Sequence, residues 1–212
     1  MSEITSITPQ VKDKTRCNVY LDGRFYCGLK FETIVKNRLK VGQNVTEKFM
    51  NEVQLDSEKS EALEKSFTFI TATAKTEKQI RDYLYKKGYL SSVVEFVLEK
   101  LRDYRYVDDL DYAQTYVGNV GARKGKRLIK QALFQKGISK ENIESALEEL
   151  EEEDQESAAV GILEKYMRSK EPTRENLTKA FRYLMGKGFD YETVKRAIER
   201  FGSLEEDGED GV

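Results

Sequence analysis

The apolar residues near the start of the chain are spaced as in a β-hairpin. Residues 16–29, RCNVYLDGRFYCGL, carry two strand-like runs that flank Asp22-Gly23. Asp-Gly is favoured in a two-residue type I′ turn, where both residues take a positive φ. The pattern therefore predicts a hairpin that pairs Leu21 with Arg24 and Asn18 with Cys27.

The two cysteines lie on either side of this turn. In that register, Cys17 and Cys27 point to opposite faces of the hairpin, because neighbouring strand positions alternate between faces. We therefore expect no disulfide between them and two free thiols, which are typical of a reducing compartment. Neither thiol has the histidine partner of a catalytic cysteine, since the chain contains no histidine.

After the hairpin, the apolar spacing becomes helical and repeats itself. Three Lys-Gly pairs, at Gly88, Gly137 and Gly188, are separated by about 50 residues, a period typical of helical repeats. Apolar residues recur four positions before each Gly and six, ten and thirteen after it. These are Leu84, Leu133 and Leu184; Val94, Ile143 and Val194; Leu98, Leu147 and Ile198; and Leu101, Leu150 and Phe201.

Each Gly is predicted to end one helix in a left-handed cap, followed by an apolar residue that packs against that helix. A second helix then begins at a polar N-cap, and the Gly-terminated helix has its own start signal upstream. The apolar residues are Tyr89, Ile138 and Phe189; the N-caps are Ser91, Ser139 and Asp190; the upstream starts are Thr76, Gly125 and Thr173, with Thr76 and Gln79 as a capping box.

A third helix is predicted before each pair, at about 58–74, 109–120 and 155–168. The fold class is therefore mainly α: three tandem three-helix-bundle repeats in an elongated, curved arrangement, preceded by an N-terminal β-hairpin. The predicted domains are 1–57 (hairpin and helical extension), 58–107, 108–152 and 153–202 (the three repeats), and 203–212 (a disordered acidic tail). The acidic run at 148–156 is expected to be a solvated boundary.

Composition agrees with a helix-rich protein of the cytoplasm. Hydrophobic residues make up 39% and charged residues 35%, with two Pro and no Trp. The chain has no apolar run long enough to cross a membrane, and its N-terminus lacks the features of a secretory signal.

Enzymatic sites find little support. The absence of histidine excludes the Ser-His-Asp and Cys-His arrangements. A phosphate loop fails at 118–127 (GNVGARKGKR), because Val120 and Arg127 stand where the motif needs Gly and a hydroxyl residue. Asp108, Asp109 and Asp111 could hold Mg²⁺, but acids in a first helical turn are better explained by the helix dipole.

The basic residues are concentrated in one segment. Residues 112–140 contain seven Lys or Arg and no Asp or Glu, although the whole chain has a net charge of -2. Residues 1–75 and 76–150 each carry +2, whereas 151–212 carries -6, which predicts an anion-binding surface on the first two repeats. We assign it to Arg123, Lys124, Lys126, Arg127 and Lys130, with Arg81, Lys86 and Lys87 as a second set.

Taken in order, four segments resemble the RecX family of bacterial recombination regulators. They are TEKQIRDYLYKKGY, VLEKLRDYRYVDDLDYAQTYV, ARKGKRLIKQALFQKGI and IESALEEL. The resemblance covers about residues 60–200 and is weaker in the third repeat. The matching motif positions, expected to be mainly structural, are Leu84, Gly88, Tyr106, Asp108, Asp109, Gly125, Ile129, Leu133 and Gly137.

The resemblance implies a non-enzymatic regulator of homologous recombination, DNA repair and the SOS response, with no cofactor and no bound metal. Such proteins bind RecA and its filament on single-stranded DNA, and inhibit its ATPase and strand exchange or destabilise the filament. We expect a monomer that contacts RecA and single-stranded DNA, directly or within the filament, and no membrane.

Two alternatives remain open from the residues themselves. The chain could be a nucleic-acid-binding helical repeat that acts without RecA, in which case the isolated protein would bind DNA with a steep salt dependence. It could also be a protein scaffold whose basic residues meet an acidic partner. The acidic third repeat makes a DNA contact at that end doubtful.

Overall fold

A computed structural model describes residues 1–209 of the chain, with side chains described as far as Gly202. The chain divides into two compact units. The first comprises Met1–Ala74 and Ile80–Val107, and the second comprises Lys75–Gln79 and the chain from Asp108 onward.

The first unit begins with a four-stranded antiparallel sheet, of which the sequence predicted only two strands. The strands are β1 (Ser2–Pro9), β2 (Arg16–Leu21), β3 (Arg24–Lys30) and β4 (Asn44–Val45), in the order β3-β2-β1-β4, with helix α1 (Phe31–Lys36) between β3 and β4. Strand β1 escaped prediction because the pairing of β1 with β2 shifts between Ile4 and Ser6. Such an irregularity interrupts the alternation of apolar and polar residues that marks a strand.

The predicted hairpin is confirmed, and its register needs one correction. Asp22 and Gly23 have φ values of 49° and 79°, as a type I′ turn requires, and Leu21 pairs with Arg24. Beyond the turn, however, the register shifts, so that Asn18 pairs with Gly28 and not with Cys27. A β-bulge in β3 inserts one residue, which no spacing of apolar residues announced.

The bulge also reverses the prediction for the cysteines. Cys17 pairs with Leu29 and Val19 pairs with Cys27, so the two thiols lie on the same face of the sheet and not on opposite faces. Both cysteines are buried in the core beneath the sheet, and both are free. Burial raises the pKa of the Cys27 thiol to about 11.

This burial predicts a slow thiol. In a Cys17→Ala variant, we expect Cys27 to react with a disulfide reagent at pH 8 about a hundredfold more slowly than the unfolded chain does, because so little thiolate is present. The measurement compares reagent release from native protein and from protein in denaturant. Equal rates in the two conditions would contradict the buried position of Cys27.

The remaining helices form three groups of three, which confirms the predicted repeats. They are α2 (Glu47–Thr71), α3 (Glu77–Lys86) and α4 (Ser91–Asp103); α5 (Asp109–Val120), α6 (Lys126–Gln135) and α7 (Lys140–Glu148); and α8 (Glu152–Met167), α9 (Arg174–Gly186) and α10 (Tyr191–Glu209). Helix α5 has the predicted bounds, and α8 begins three residues before its predicted start at residue 155.

Helix α2 is much longer than the 17 residues predicted. Its 25 residues serve two cores, because Met50 and Val53 pack under the sheet, whereas Ala62 packs with α3 and α4. The buried residues of the first half of α2 therefore pack against the sheet. The apolar spacing that marks the second half, which packs in the three-helix core, does not continue through the first half. The sheet and the first three-helix bundle are consequently joined by one continuous helix.

The aligned apolar residues form the cores of the repeats. Leu84, Leu133 and Leu184 are completely buried, each in a separate hydrophobic cluster. Their position is fixed by the caps that follow, since Gly88, Gly137 and Gly188 have φ values of 87°, 86° and 93°. In the first repeat, Tyr89 N donates to Leu84 O and Gly88 N donates to Tyr85 O, the double hydrogen bond of a Schellman cap.

The predicted N-caps are correct at most positions. The side chains of Thr76, Ser139, Thr173 and Asp190 accept hydrogen bonds from backbone amides three residues ahead. Ser91 is an exception, because α4 already begins at this residue and Leu90 is its N-cap, without a side-chain hydrogen bond.

The last helix extends into the segment that was predicted to be an unstructured tail. The backbone of α10 is helical to Glu209, so 203–209 differ from that prediction, whereas 210–212 lie outside the described residues. Among residues 1–209, no helix combines the length and hydropathy needed to span a membrane.

Candidate functional site

The sequence-derived motif residues meet at two joints within the second unit. At the first joint, Thr76 Oγ1 donates to Lys136 O at 2.7 Å, while the same oxygen accepts from Gln79 N at 3.3 Å. Thr76 N donates in turn to Gln79 Oε1 at 3.1 Å, which completes the predicted capping box. The first turn of α3 therefore receives the end of α6, with a helix N-terminus facing a helix C-terminus.

Lys78 closes this joint from the side. Its Nζ donates to Gln135 O at 3.1 Å, one residue before the carbonyl that Thr76 binds. The methylenes of Lys78 also cover Gly137, where an added Cβ would lie only 2.4 Å from Lys78 Cδ. A glycine is thus favoured at position 137 both by its positive φ and by this close contact.

The second joint repeats the arrangement one helix further on. Gly125 N donates to Lys187 O at 3.0 Å, and Arg127 N donates to Gly188 O at 3.1 Å. A Cβ on Gly125 would lie 2.1 Å from the carbonyl carbon of Gly188 and from Phe189 N, so only glycine fits here. The first turn of α6 therefore receives the end of α9.

Sequence reasoning missed Gln155, which supports the second joint. Its side chain is buried, accepts a hydrogen bond from Lys126 N at 3.1 Å and donates to Gly121 O at 3.2 Å. It satisfies an amide in the first turn of α6 that no helical carbonyl can reach. The only signal in the sequence was one neutral polar residue in the acidic run 148–156.

The acidic pair Asp108-Asp109 stabilises helix starts. Asp108 Oδ1 accepts from the amides of Leu110 and Asp111, as an N-cap does. Asp109 Oδ1 accepts from Glu77 N at 2.9 Å, at the start of α3. Burial raises the pKa of the Asp109 carboxyl, although the Glu77 amide opposes this shift. No cluster of acidic or cysteine side chains suited to a metal ion occurs in the part of the chain that the structure describes.

The other motif positions lie in or against the cores. Leu84, Ile129 and Leu133 are completely buried. Tyr106 is exposed, but its ring meets that of Phe67 edge to face, with 5.0 Å between centroids. The positions that resemble the family motifs thus hold helix starts, helix ends and their packing.

Two of the three predicted basic residues on α3 and its cap have interactions of their own. Arg81 pairs with Glu95 of α4, with Nη2 3.2 Å from Oε2. Lys87 Nζ lies 5.5 Å from the centre of the Tyr83 ring, within range of a cation-π interaction. Lys86 is exposed and forms no ion pair among the described residues.

The predicted basic residues between 123 and 130 also differ in whether they have partners within the fold. Arg127 Nη2 donates to Met185 O at 2.8 Å, so this guanidinium belongs to the second joint. Lys130 Nζ lies 3.4 Å from Glu144 Oε1. Arg123 is exposed and Lys124 is half-buried, and neither forms an ion pair within residues 1–202.

Acidic residues of the third repeat lie close to the segment 112–140, which itself contains no Asp or Glu. Lys126 shares a surface pocket with Glu152, Asp190 and Glu192. The absence of acids over 112–140 therefore does not create an uninterrupted positive surface. Arg123 lines a different groove, together with Lys165 and Lys187 of the third repeat. The sequence did not indicate these two cations, because the third repeat and its tail carry a net charge of -6.

Comparison with known proteins agrees with these features. Four family models match the chain: the regulatory protein RecX N-terminal domain over residues 2–46, and the first, second and third RecX three-helix domains over 62–101, 108–147 and 152–198. Together the matches cover most of the chain.

Individual relatives are similar over nearly their whole length. Regulatory protein RecX of Clostridium tetani (strain Massachusetts / E88) is 31% identical over 204 residues, covering 94% of each chain. Regulatory protein RecX of Clostridium botulinum (strain Eklund 17B / Type B) is 30% identical over 203 residues, covering 94% of this chain and 96% of that one.

Solved structures show the same fold. A crystal structure of regulatory protein RecX superposes with a TM-score of 0.73 at 29% identity, covering 94% of this chain and all of the other. A crystal structure of RecX from Lactobacillus salivarius gives a TM-score of 0.65 at 25% identity, covering 68% of this chain and 97% of the other. With its sheet, its three three-helix repeats and the glycines at its joints, this chain belongs to the RecX family of regulatory proteins.

Proposed function

We propose that this protein regulates homologous recombination by binding RecA and its filament on single-stranded DNA. The observation that carries the proposal is the match of all four RecX domains along one chain. Binding would lower RecA's ATP turnover and strand exchange, or destabilise the filament. The protein would do so by occupying a surface, without a cofactor and without catalysis of its own.

The chemistry of the chain supports action by binding. The sequence has no histidine, and the aspartates that resemble a metal site accept hydrogen bonds from helix starts. What the repeats expose instead is a set of cations at helix ends, such as Lys86, Lys87 and Arg123. Exposed cations of this kind bind phosphates and carboxylates through charge and hydrogen bonds.

The first experiment measures RecA's ATPase on single-stranded DNA while this protein is titrated in, beside the protein's own binding to the same DNA at physiological salt. We expect inhibition at concentrations well below those that bind naked DNA, because the filament is the proposed target. Absence of inhibition would refute the proposal. If tight, salt-sensitive DNA binding accompanied that absence, the RecA-independent alternative would replace it.

A charge variant tests which cations contact the filament. We predict that the triple variant Lys86→Ala, Lys87→Ala, Lys124→Ala needs about tenfold more protein for half inhibition. Three charge contacts of about 0.5 kcal/mol each sum to about 1.5 kcal/mol, and a loss of about 1.4 kcal/mol weakens binding tenfold. Arg81, Arg127 and Lys130 are left intact, since they have partners within the fold. Lys126 is also left intact, because acids surround it.

The matched control removes the same charge elsewhere. Lys140, Lys179 and Lys195 are exposed, and each pairs with a glutamate one helical turn away. Replacing all three with Ala should leave the inhibition unchanged, and both triple variants should keep the wild-type unfolding temperature. Equal inhibition by the two triple variants would show that the contacts lie elsewhere.

A further inference from the structure

A groove in the second unit brings together cations that are far apart in the sequence. Arg123 reaches it from the loop between α5 and α6, Lys165 and Tyr166 from α8, and Tyr183 and Lys187 from the end of α9. Ile162 completes the lining of this groove, which has a volume of about 440 Å³. No acidic residue among those whose side chains the structure describes lines it, although the segment from residue 151 onward carries a net charge of -6.

Arg123, Lys165 and Lys187 form no ion pair with any residue whose side chain the structure describes. Elsewhere in the same unit, Lys130, Lys140 and Lys179 each pair with a glutamate. Three unpaired cations facing one depression attract an anion more strongly than the same charges scattered over a surface.

Two tyrosine rings form one wall of the groove, and a lysine ammonium group lies over each ring. The rings of Tyr166 and Tyr183 are stacked, with centroids 4.5 Å apart and planes inclined by 21°. Lys187 Nζ lies 5.1 Å from the Tyr183 centroid, and Lys170 Nζ lies 3.1 Å from the Tyr166 centroid. The contact with Tyr183 restrains the Lys187 ammonium group at the groove, which reduces the entropy lost when an anion orders it.

The first repeat contains the same arrangement at the aligned positions. Tyr83 and Tyr183 both stand five residues before a cap glycine, and Lys87 and Lys187 both stand one residue before it. The Tyr83 ring stacks on Phe69 with centroids 4.2 Å apart, and Lys87 Nζ lies over the Tyr83 ring. A lysine over a stacked pair of rings therefore occurs in the first and third repeats, whereas the second repeat has Ala132 at the aligned position.

We propose that this groove binds single-stranded nucleic acid. Phosphates would contact Arg123, Lys165 and Lys187, and a base would lie against Tyr183, whose surface is 38% exposed. Positive grooves that follow the backbone, with aromatic rings that contact the bases, are the usual means of binding single strands without sequence preference. An acidic peptide would use the charges but would gain little from the rings, so the rings favour a nucleic acid.

This inference rests on the proposed function only in identifying the strand as the one that RecA coats, and its test contains no RecA. The binding of a fluorescent oligothymidine of about 20 nucleotides is followed by anisotropy at several salt concentrations. The groove variant Arg123→Ala, Lys165→Ala, Lys187→Ala is compared with the Lys140, Lys179 and Lys195 triple variant, which removes the same charge.

We expect the groove variant to bind at least tenfold more weakly at low salt. Its slope of log affinity against log salt should be smaller by about 2, since each lost phosphate contact removes about 0.7 for a single strand. The control triple variant should retain the wild-type slope. Equal losses in both variants would overturn the proposal, as would a wild-type protein that does not bind the oligomer. A lack of RecA inhibition would refute the proposed function and leave this result intact.

Tryptophan fluorescence distinguishes contacts with the bases from binding through charge alone. The chain contains no tryptophan, so Tyr183→Trp introduces a single fluorophore into the groove wall, and Tyr191→Trp introduces one at another exposed tyrosine. We expect the oligothymidine to quench the tryptophan at 183 and not the one at 191, and poly-glutamate to quench neither. Displacement of the oligomer by poly-glutamate at equal charge concentration, without quenching at 183, would identify an acidic peptide as the ligand and overturn the proposal.

Discussion

Replacing Gly125 by Ala is expected to lower the free energy of unfolding by roughly 2 to 4 kcal/mol. The new Cβ would lie 2.1 Å from the carbonyl carbon of Gly188 and from Phe189 N, and these are main-chain atoms that no rotamer change can move. The helix end must therefore retreat, which breaks the bonds from Gly125 N to Lys187 O and from Arg127 N to Gly188 O. Denaturant unfolding followed by circular dichroism measures the loss.

Gly118 provides the matched control for this substitution. It lies in helix α5, and a Cβ there would meet nothing within 4 Å. Gly118→Ala should raise the free energy of unfolding by about 0.5 to 1 kcal/mol, because alanine loses less conformational freedom in a helix. If Gly125→Ala behaved like Gly118→Ala, the close approach at the second joint would be refuted.

Leu133→Ala should cost about 2 to 5 kcal/mol of unfolding free energy. The side chain is completely buried in the core formed with Ile129, Ile138 and Ile143, and its removal leaves a cavity that the surrounding helices cannot fill without moving. The aligned residues Leu84 and Leu184 are equally buried in their own cores, so we expect the same range for their alanine variants.

The next residue along the chain is the control. Phe134 is a larger side chain, but it is 72% exposed, and Phe134→Ala should change the unfolding free energy by less than about 0.5 kcal/mol. A loss at Leu133 no greater than that at Phe134 would mean that the inward face of α6 has been misidentified. Equilibrium unfolding in urea serves both variants.

The repeats could be predicted because their signals are local. A Lys-Gly pair, an apolar residue after it and a polar N-cap lie within about ten residues, and the hydrogen bonds of Ser139 and Asp190 follow from that short stretch. The apolar spacing around Leu84 and Leu133 likewise identified the buried face of each helix. Local chemistry of this kind needs no knowledge of distant contacts.

The joints could not be predicted, because their partners are distant in the sequence. Thr76 binds a carbonyl 60 residues away, and the amide of Gly125 binds one at position 187. The sequence showed that Thr76 and Gly125 begin helices, but not what those helix starts would meet. The bulge that brings Cys17 and Cys27 to the same face was hidden for a different reason, since any residue can occupy a bulge.

The charge of each surface groove also could not be predicted from the sequence. Counting charges along the chain predicted a basic surface at 123–130 and an acidic third repeat. Folding places Glu152 and Asp190 beside Lys126, and it places Lys165 and Lys187 beside Arg123. A segment's net charge therefore says little about any one groove, because a groove takes its residues from several segments.

The joints also bear on how many repeats such a chain can contain. At both joints the receiving helix end contributes main-chain carbonyls, so that end needs a suitable backbone more than a particular side chain. Thr173 begins α9 as Thr76 and Gly125 begin α3 and α6. A further copy of the third repeat, added after α10, would find at Thr173 a helix start of the kind that the existing repeats use. Because each repeat has its own core, gene duplication or protein engineering could change the number of repeats without redesign of the existing cores.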